Sequence, residues 1–253
     1  MFLGHPFLWW LPAAVELGTG GWLVLRPASR RALAASAGWA LVVWAAGEGF
    51  GGLASGGSLL AGYPGAALLY AAASVVLFPR REERDGAVAA AEAGLLGQWG
   101  RVPWLVLWIG AAFLTAAPQN GTNSLPFMLA INEGEAPGPL HAVDTAELRW
   151  LTVGNTSLLG YAVAGACLAI GFMIFLGWLP RLFLSLSILI TLAAWAAVEN
   201  FGGILTGSST DVGAGPAWVL LALAFLPAAR TSASRAGEPA PALGAARQDS
   251  AAS

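Results

Sequence analysis

Lysine is absent from this chain, cysteine occurs once, at Cys167, and histidine twice, at His5 and His141. Each shortage removes a class of chemistry. Without lysine there is no retinal Schiff base. A single cysteine excludes an internal disulfide and any zinc site built on paired cysteines. Both histidines fall outside the apolar runs, so no run offers ligands for a membrane b-type haem. Soft sulfur is scarce too: beyond Met1 only Met128 and Met173 are present, a poor supply for copper(I). Charge is sparse, at 10% of residues, where a soluble domain carries about a quarter. The net charge of −2 lacks the basic footprint of a nucleic-acid partner. No Gly-x-Ser-x-Gly, Walker or His-Glu-x-x-His motif occurs, and Asn155-Thr156-Ser157 has no partner base in the pattern. No catalytic residue is assigned.

What remains is apolar. Hydrophobic residues make up 57% of the 253, and the mean hydropathy is +0.68. This composition predicts an all-α polytopic membrane protein, multi-pass in the inner (plasma) membrane, with the lipid bilayer as its first partner. The start, Met1-Phe2-Leu3-Gly4-His5-Pro6, lacks the basic region of a signal peptide, so the first apolar run is expected to be retained. Arginine as the sole strong base, with abundant alanine, points to a high-GC bacterial genome.

A helix needs roughly 17–25 residues to cross the hydrocarbon core. Apolar runs of about that length lie at Phe7–Leu25, Ala32–Gly49, Leu60–Phe78, Val102–Ala117, Leu158–Leu179, Leu182–Asn200 and Val212–Ala229. The fourth decides the topology, because omitting it inverts everything downstream. Arginine tests the choice, since short cytoplasmic loops are enriched in positive charge. With seven spans and the N-terminus outside, 11 arginines fall in the cytoplasm and only Arg149 outside. Deleting the fourth span changes the ratio to 8 against 4. Seven spans are therefore expected, with the C-terminus cytoplasmic. Tryptophan agrees: Trp9, Trp10, Trp150 and Trp218 fall near the outer interface, and Trp22, Trp99, Trp104 and Trp178 near the inner one.

The runs contain a duplication. Trp44-Ala45-Ala46-Gly47-Glu48-Gly49-Phe50-Gly51-Gly52 recurs 151 residues later as Trp195-Ala196-Ala197-Val198-Glu199-Asn200-Phe201-Gly202-Gly203. Carried on to Gly56 and Gly207, eight of thirteen positions are identical. Arg30 and Arg181 each precede the motif by fourteen residues, and Pro64 and Pro79 bracket the third run much as Pro216 and Pro227 bracket the seventh. This predicts two three-helix repeats, residues 7–80 and 158–230, joined by a linker helix at 102–117. The odd number of intervening spans makes the repeats parallel, in a 3+1+3 plan. That plan resembles the sugar-transporting SWEET family in architecture alone, with none of its local motifs. An outer cap segment is expected at 118–156, where Asp144 and Glu147 read as a helix capping box. An alanine-rich stretch at 80–100 is expected along the inner surface, and a disordered cytoplasmic tail at 231–253.

Intramembrane carboxylates are costly and usually functional. Helical periodicity predicts that Leu41, Trp44 and Glu48 share one face, as do Leu192, Trp195 and Glu199. Both glutamates would lie toward the outer boundary of the membrane and face one another across a polar cavity between the second and sixth helices. Trp44 and Trp195 would form its walls, with Asn200 beside them. Gly52-x-x-x-Gly56 and Gly203-x-x-x-Gly207 carry the spacing of tight helix contacts. The bland reading is that the glutamates cap helix ends and the glycines permit packing. Glu16 stands alone mid-way along the first run, and its repeat-aligned position is Cys167. It would carry a proton or bond a neighbouring helix.

Three functions follow. The leading expectation is a transporter-like or small-ligand-binding membrane protein with a paired-glutamate site for a small solute or cation. The second is a non-catalytic subunit packed against other membrane subunits. The third is an outer-facing divalent metal site on His5, His141 and Asp144. No other cofactor is indicated.

Overall fold

A computed structural model of the chain describes residues 10–27, 29–52, 58–80, 89–117, 156–203 and 212–226, together with 141, 142, 145, 146 and 149. It is helical throughout, with no strand among the described residues. One helix falls in each of the seven apolar runs: α1 (Trp10–Leu25), α2 (Arg30–Ala46), α3 (Ala66–Val76), α4 (Arg101–Ala116), α5 (Thr156–Leu176), α6 (Pro180–Ala197) and α7 (Ala214–Ala224). Among the described residues three stretches are long and apolar enough to cross a membrane: Gly97–Ala116, Leu158–Leu176 and Pro180–Ala197.

Local chemistry sets the boundaries. Ser29 caps α2, its Oγ accepting the Ala32 amide at 3.3 Å. Pro180 opens α6, where a missing amide costs nothing. The tight α5–α6 turn places Gly177 and Leu179 at positive φ (73° and 45°). The third and seventh runs depart from expectation. Helices α3 and α7 have only 11 residues each, about 16 Å of rise against a hydrocarbon core of roughly 30 Å. In the third run a short 3-10 turn, Leu59–Ala61, comes first. Gly62 and Gly65 then take φ of 84° and 90°, and Pro64 has no amide to donate, so helix starts only at Ala66.

Two halves, α1–α3 and α5–α7, meet where α3 packs on α7. Helix α4 packs chiefly along α5 and carries the centre of the core. Trp104 and Trp108 are fully buried there, against Trp218 and Phe225 of the α7 region. Cys167, Ile170 and Ile174 of α5 join the same apolar cluster. By contrast, α1 buries no residue, and its chief partner is α2.

The stretch before α4 is pinned rather than lying loose. Leu95 donates its amide to the Phe78 carbonyl at 2.7 Å, next to a bridge between Pro79 and Gly94. Arg101 pairs with Glu92, and its Nη1 donates to the Phe175 carbonyl at 3.4 Å, tying this stretch to the end of α5. Residues 81–88, most of the 118–156 segment, including Asp144 and Glu147, and the 231–253 tail lie outside the described residues.

Candidate functional site

Each copy of the duplicated motif begins as helix and ends as a turn. Helix α2 stops at Ala46, where the Gly47 amide donates to Val43 O at 2.7 Å. Helix α6 stops at Ala197, with Val198 as its cap. Glu48 and Glu199 therefore lie past the helix ends and not on a helix face. The predicted shared face does not form, and Leu41 and Leu192 point outward while both tryptophans are half-buried.

Free of the helix, each carboxylate reaches the start of the next one. Glu48 Oε1 accepts the Ala67 amide at 2.9 Å, in the first turn of α3. Glu199 Oε2 accepts the Ala214 amide at 3.0 Å, at the first residue of α7. A helix N-terminus presents amides without intrahelical acceptors and the positive end of its dipole, so a carboxylate there is stabilised twice. The tryptophans complete the junction. Trp44 Nε1 donates to Pro64 O at 2.9 Å and Trp195 Nε1 to Val212 O at 2.6 Å. Phe50 and Phe201 turn back through positive φ (61° and 56°) to meet those indoles edge-on, with centroids 5.2 and 5.0 Å apart. Gly51 and Gly202 follow at φ 63° and 67°. A Cβ at Gly51 would overlap the Pro64 carbonyl, and one at Gly202 would lie 2.6 Å from Val212 O. Only glycine fits.

The connecting loop is three residues shorter in the second half. Pro64, Gly65 and Ala66 thus correspond to Val212, Gly213 and Ala214, an offset of 148 and not 151. The bracketing prolines of the sequence pattern are not structural equivalents: Pro64 answers to Val212, and Pro216 lies inside the first turn of α7.

The two carboxylates flank one turn, residues 62–65. A Cβ on Gly62 would meet the Glu199 carboxyl carbon at 3.6 Å, while Gly65 borders Glu48. The turn is held from both sides, by Trp218 Nε1 donating to Tyr63 O at 3.2 Å and Thr115 Oγ1 accepting the Leu59 amide at 3.3 Å. Backbone, not open space, lies between these glutamates.

Glu48 shares a cavity with a different carboxylate. A cavity of about 320 Å³ lies between α1, α2 and α3, and Glu16 and Glu48 both line it. Thr19, Ser36, Trp39 and Tyr70 supply its other polar groups. Ser36 Oγ lies 3.5 Å from Ser74 Oγ, joining α2 to α3, and Thr19 Oγ1 donates to Val15 O at 2.8 Å. The Trp39 indole nitrogen is buried with no hydrogen-bond partner among the described residues. Glu48 thus lines a cavity inside the first half, between α1, α2 and α3. Ser36, Trp39 and Tyr70 were not singled out by sequence. The signal available was asymmetry: Glu16 stands opposite Cys167, Trp39 opposite Ile190 and Tyr70 opposite Trp218.

Asn200 begins a short 3-10 turn ending at Gly203; its side chain is outside the described residues, as are the rest of both Gly-x-x-x-Gly segments. Of the metal candidates, His5 and Asp144 also lie outside them. His141 is described through its carbonyl, which accepts Thr145 Oγ1 at 2.7 Å. Among the described residues no group of three or more His, Cys, Asp or Glu is placed to hold a metal.

Comparison with protein-family models, curated proteins and solved structures finds no match.

Proposed function

We propose that this is a multi-pass plasma-membrane protein that binds a small cation in the cavity between α1, α2 and α3, in the manner of a transporter. The observation that carries the reading is the pair of carboxylates, Glu16 and Glu48, on one cavity of about 320 Å³. In this reading the seven apolar runs cross the bilayer, the third and seventh with α3 and α7 completed by the residues on either side of these 11-residue helices, as two parallel three-helix repeats joined by α4, with the N-terminus outside and the C-terminus cytoplasmic. Glu48 is held by the Ala67 amide and supplies a fixed field, while Glu16, on the loosely packed α1, makes the direct contact. A carboxylate in low dielectric attracts a cation far more strongly than one in water. Because α1 buries no residue, its displacement costs the least packing, and it is the wall that would open.

The test is cation binding to purified protein in lipid nanodiscs, with n-propylammonium as the first probe. Glu16→Gln is expected to lower affinity at least tenfold, while Glu199→Gln, not on the lining of this cavity, leaves it unchanged. Equal binding by Glu16→Gln and the parent would sink the reading.

A second reading, a structural subunit of a membrane complex, is supported by the same helix. Trp10, Leu17 and Val24 of α1 are 75%, 79% and 82% exposed, a face for lipid or for a neighbouring subunit. It expects stable co-purification with another membrane chain.

A further inference from the structure

The two halves treat the same space differently. In the second half Trp108 of α4 stands between α5 and α7. Its Cβ lies 3.0 Å from where Gly171 would carry one, and its ring lies 4.8 Å from that of Trp218. The α5 residues beside it, Cys167, Ile170, Gly171 and Ile174, are all buried. Moving back 151 residues converts these four into Glu16, Thr19, Gly20 and Leu23. Those are the four α1 residues that line the cavity. The offset of 148 that relates α7 to α3 converts Trp218 into Tyr70, also on its lining. A Cβ on Gly20 would meet nothing within 4 Å, whereas its counterpart Gly171 is pressed against the Cβ of Trp108. The cavity is therefore the first-half image of the space that Trp108 fills in the second. Of helices α1–α7, α4 alone has no counterpart, so among the described residues no ring stands in the first half where Trp108 stands in the second.

We propose that the cavity receives a planar aromatic cation of about indole size, its ring between Gly20 and Tyr70 and its positive group at Glu16. This rests on the cation-binding reading above and narrows its ligand class. Three features specify the class. Gly20 and Tyr70 correspond by position to Gly171 and Trp218, which border the Trp108 side chain. Glu16 stands where the second half has Cys167 and offers a carboxylate to a positive group. Trp39, where the second half has Ile190, adds an aromatic wall, and aromatic faces attract cations. The volume, near the lower end of ligand pockets at roughly 300–1,000 Å³, suits one fused ring with a short amine arm.

The experiment uses the full chain in nanodiscs and three probes followed by calorimetry: tryptamine, the neutral ring 3-methylindole, and the ringless cation n-propylammonium. Tryptamine is expected to bind at least tenfold more tightly than either of the others. Glu16→Gln should weaken tryptamine at least tenfold and leave 3-methylindole unchanged. Gly20→Leu, which fills the gap, should abolish binding of both ring compounds while the protein melts no lower than the parent. If n-propylammonium binds as tightly as tryptamine and depends on Glu16, the aromatic class is wrong and the cation site stands. If no probe shows Glu16-dependent binding, both are wrong. Cross-linking of Gly20→Cys to another polypeptide in native membranes would show that a partner helix fills the gap, and would overturn the ligand proposal.

Discussion

The Glu48 carboxylate accepts the Ala67 amide at 2.9 Å, and this one hydrogen bond ties the end of α2 to the start of α3. Glu199 makes the same connection between α6 and α7. Conserving a helix–turn–helix junction is thus the first role of the duplicated motif. Four of the repeated residues take part: the carboxylate caps, the indole donates to the carbonyl just before the next helix, the phenyl ring braces the indole, and Gly51 or Gly202 admits the backbone.

Removing the cap should weaken both halves alike. Glu48→Ala and Glu199→Ala are each expected to cost about 1–2 kcal/mol, the range for losing an N-terminal acceptor. Gln keeps an acceptor oxygen and loses only the charge–dipole part, about 0.3–1 kcal/mol. Equilibrium unfolding in mixed micelles measures both; a full-size loss from Glu→Gln would show that charge, not the hydrogen bond, dominates.

Trp44→Phe and Trp195→Phe keep an aromatic ring against Phe50 or Phe201 but leave the Pro64 or Val212 carbonyl without its donor. A lost neutral hydrogen bond is worth about 1 kcal/mol, so each variant should melt a few degrees lower. No change in melting would mean that water replaces the indole.

Glycine positions separate into two groups. Gly51→Ala and Gly202→Ala meet backbone at positive φ and should lose far more than the ~1 kcal/mol by which alanine ordinarily exceeds glycine in a helix. Poor yield of folded protein is the expected readout. Gly18→Ala, in α1 with open space around it, should fold at parental yield and melt no lower. Similar yields for the two groups would contradict the junction geometry.

Arg101 joins Glu92 to the Phe175 carbonyl. Lysine lacks the planar fork that serves two acceptors at once. Arg101→Lys is therefore expected to cost on the order of 1 kcal/mol. The ion-pair part of that loss should shrink at high salt, because both side chains are partly exposed (31% and 19%). A loss independent of salt would assign the whole effect to the carbonyl contact.

For the seven-span orientation, a C-terminal green fluorescent protein fusion should fluoresce and a C-terminal alkaline phosphatase fusion should be inactive. The reverse pattern would overturn the 3+1+3 orientation.

Much of this was open to reading along the chain. The seven apolar runs each hold a helix, because helix period and apolar composition are local properties. The duplication was visible for the same reason: its residues serve one junction and keep one spacing. The partners of those residues were not visible. Ala67 lies 19 residues beyond Glu48 and Ala214 only 15 beyond Glu199, in segments that share little beyond glycine and alanine. The helix ends were also misplaced, since Glu48 and Glu199 fit the apolar face by periodicity and leave the helix only to reach those amides.

A membrane-type helical chain, its duplicated motif and its asymmetric carboxylate, Glu16, were legible along the chain, because hydropathy, period and identity act over a few turns. Packing in three dimensions put Glu48 on one cavity with Glu16 and set the backbone of residues 62–65 between it and Glu199. It also decided that Trp108 fills in one half the space left open in the other. Those outcomes depend on how α4, a helix with no counterpart, packs beside one repeat alone, and packing between distant segments leaves no local pattern to read.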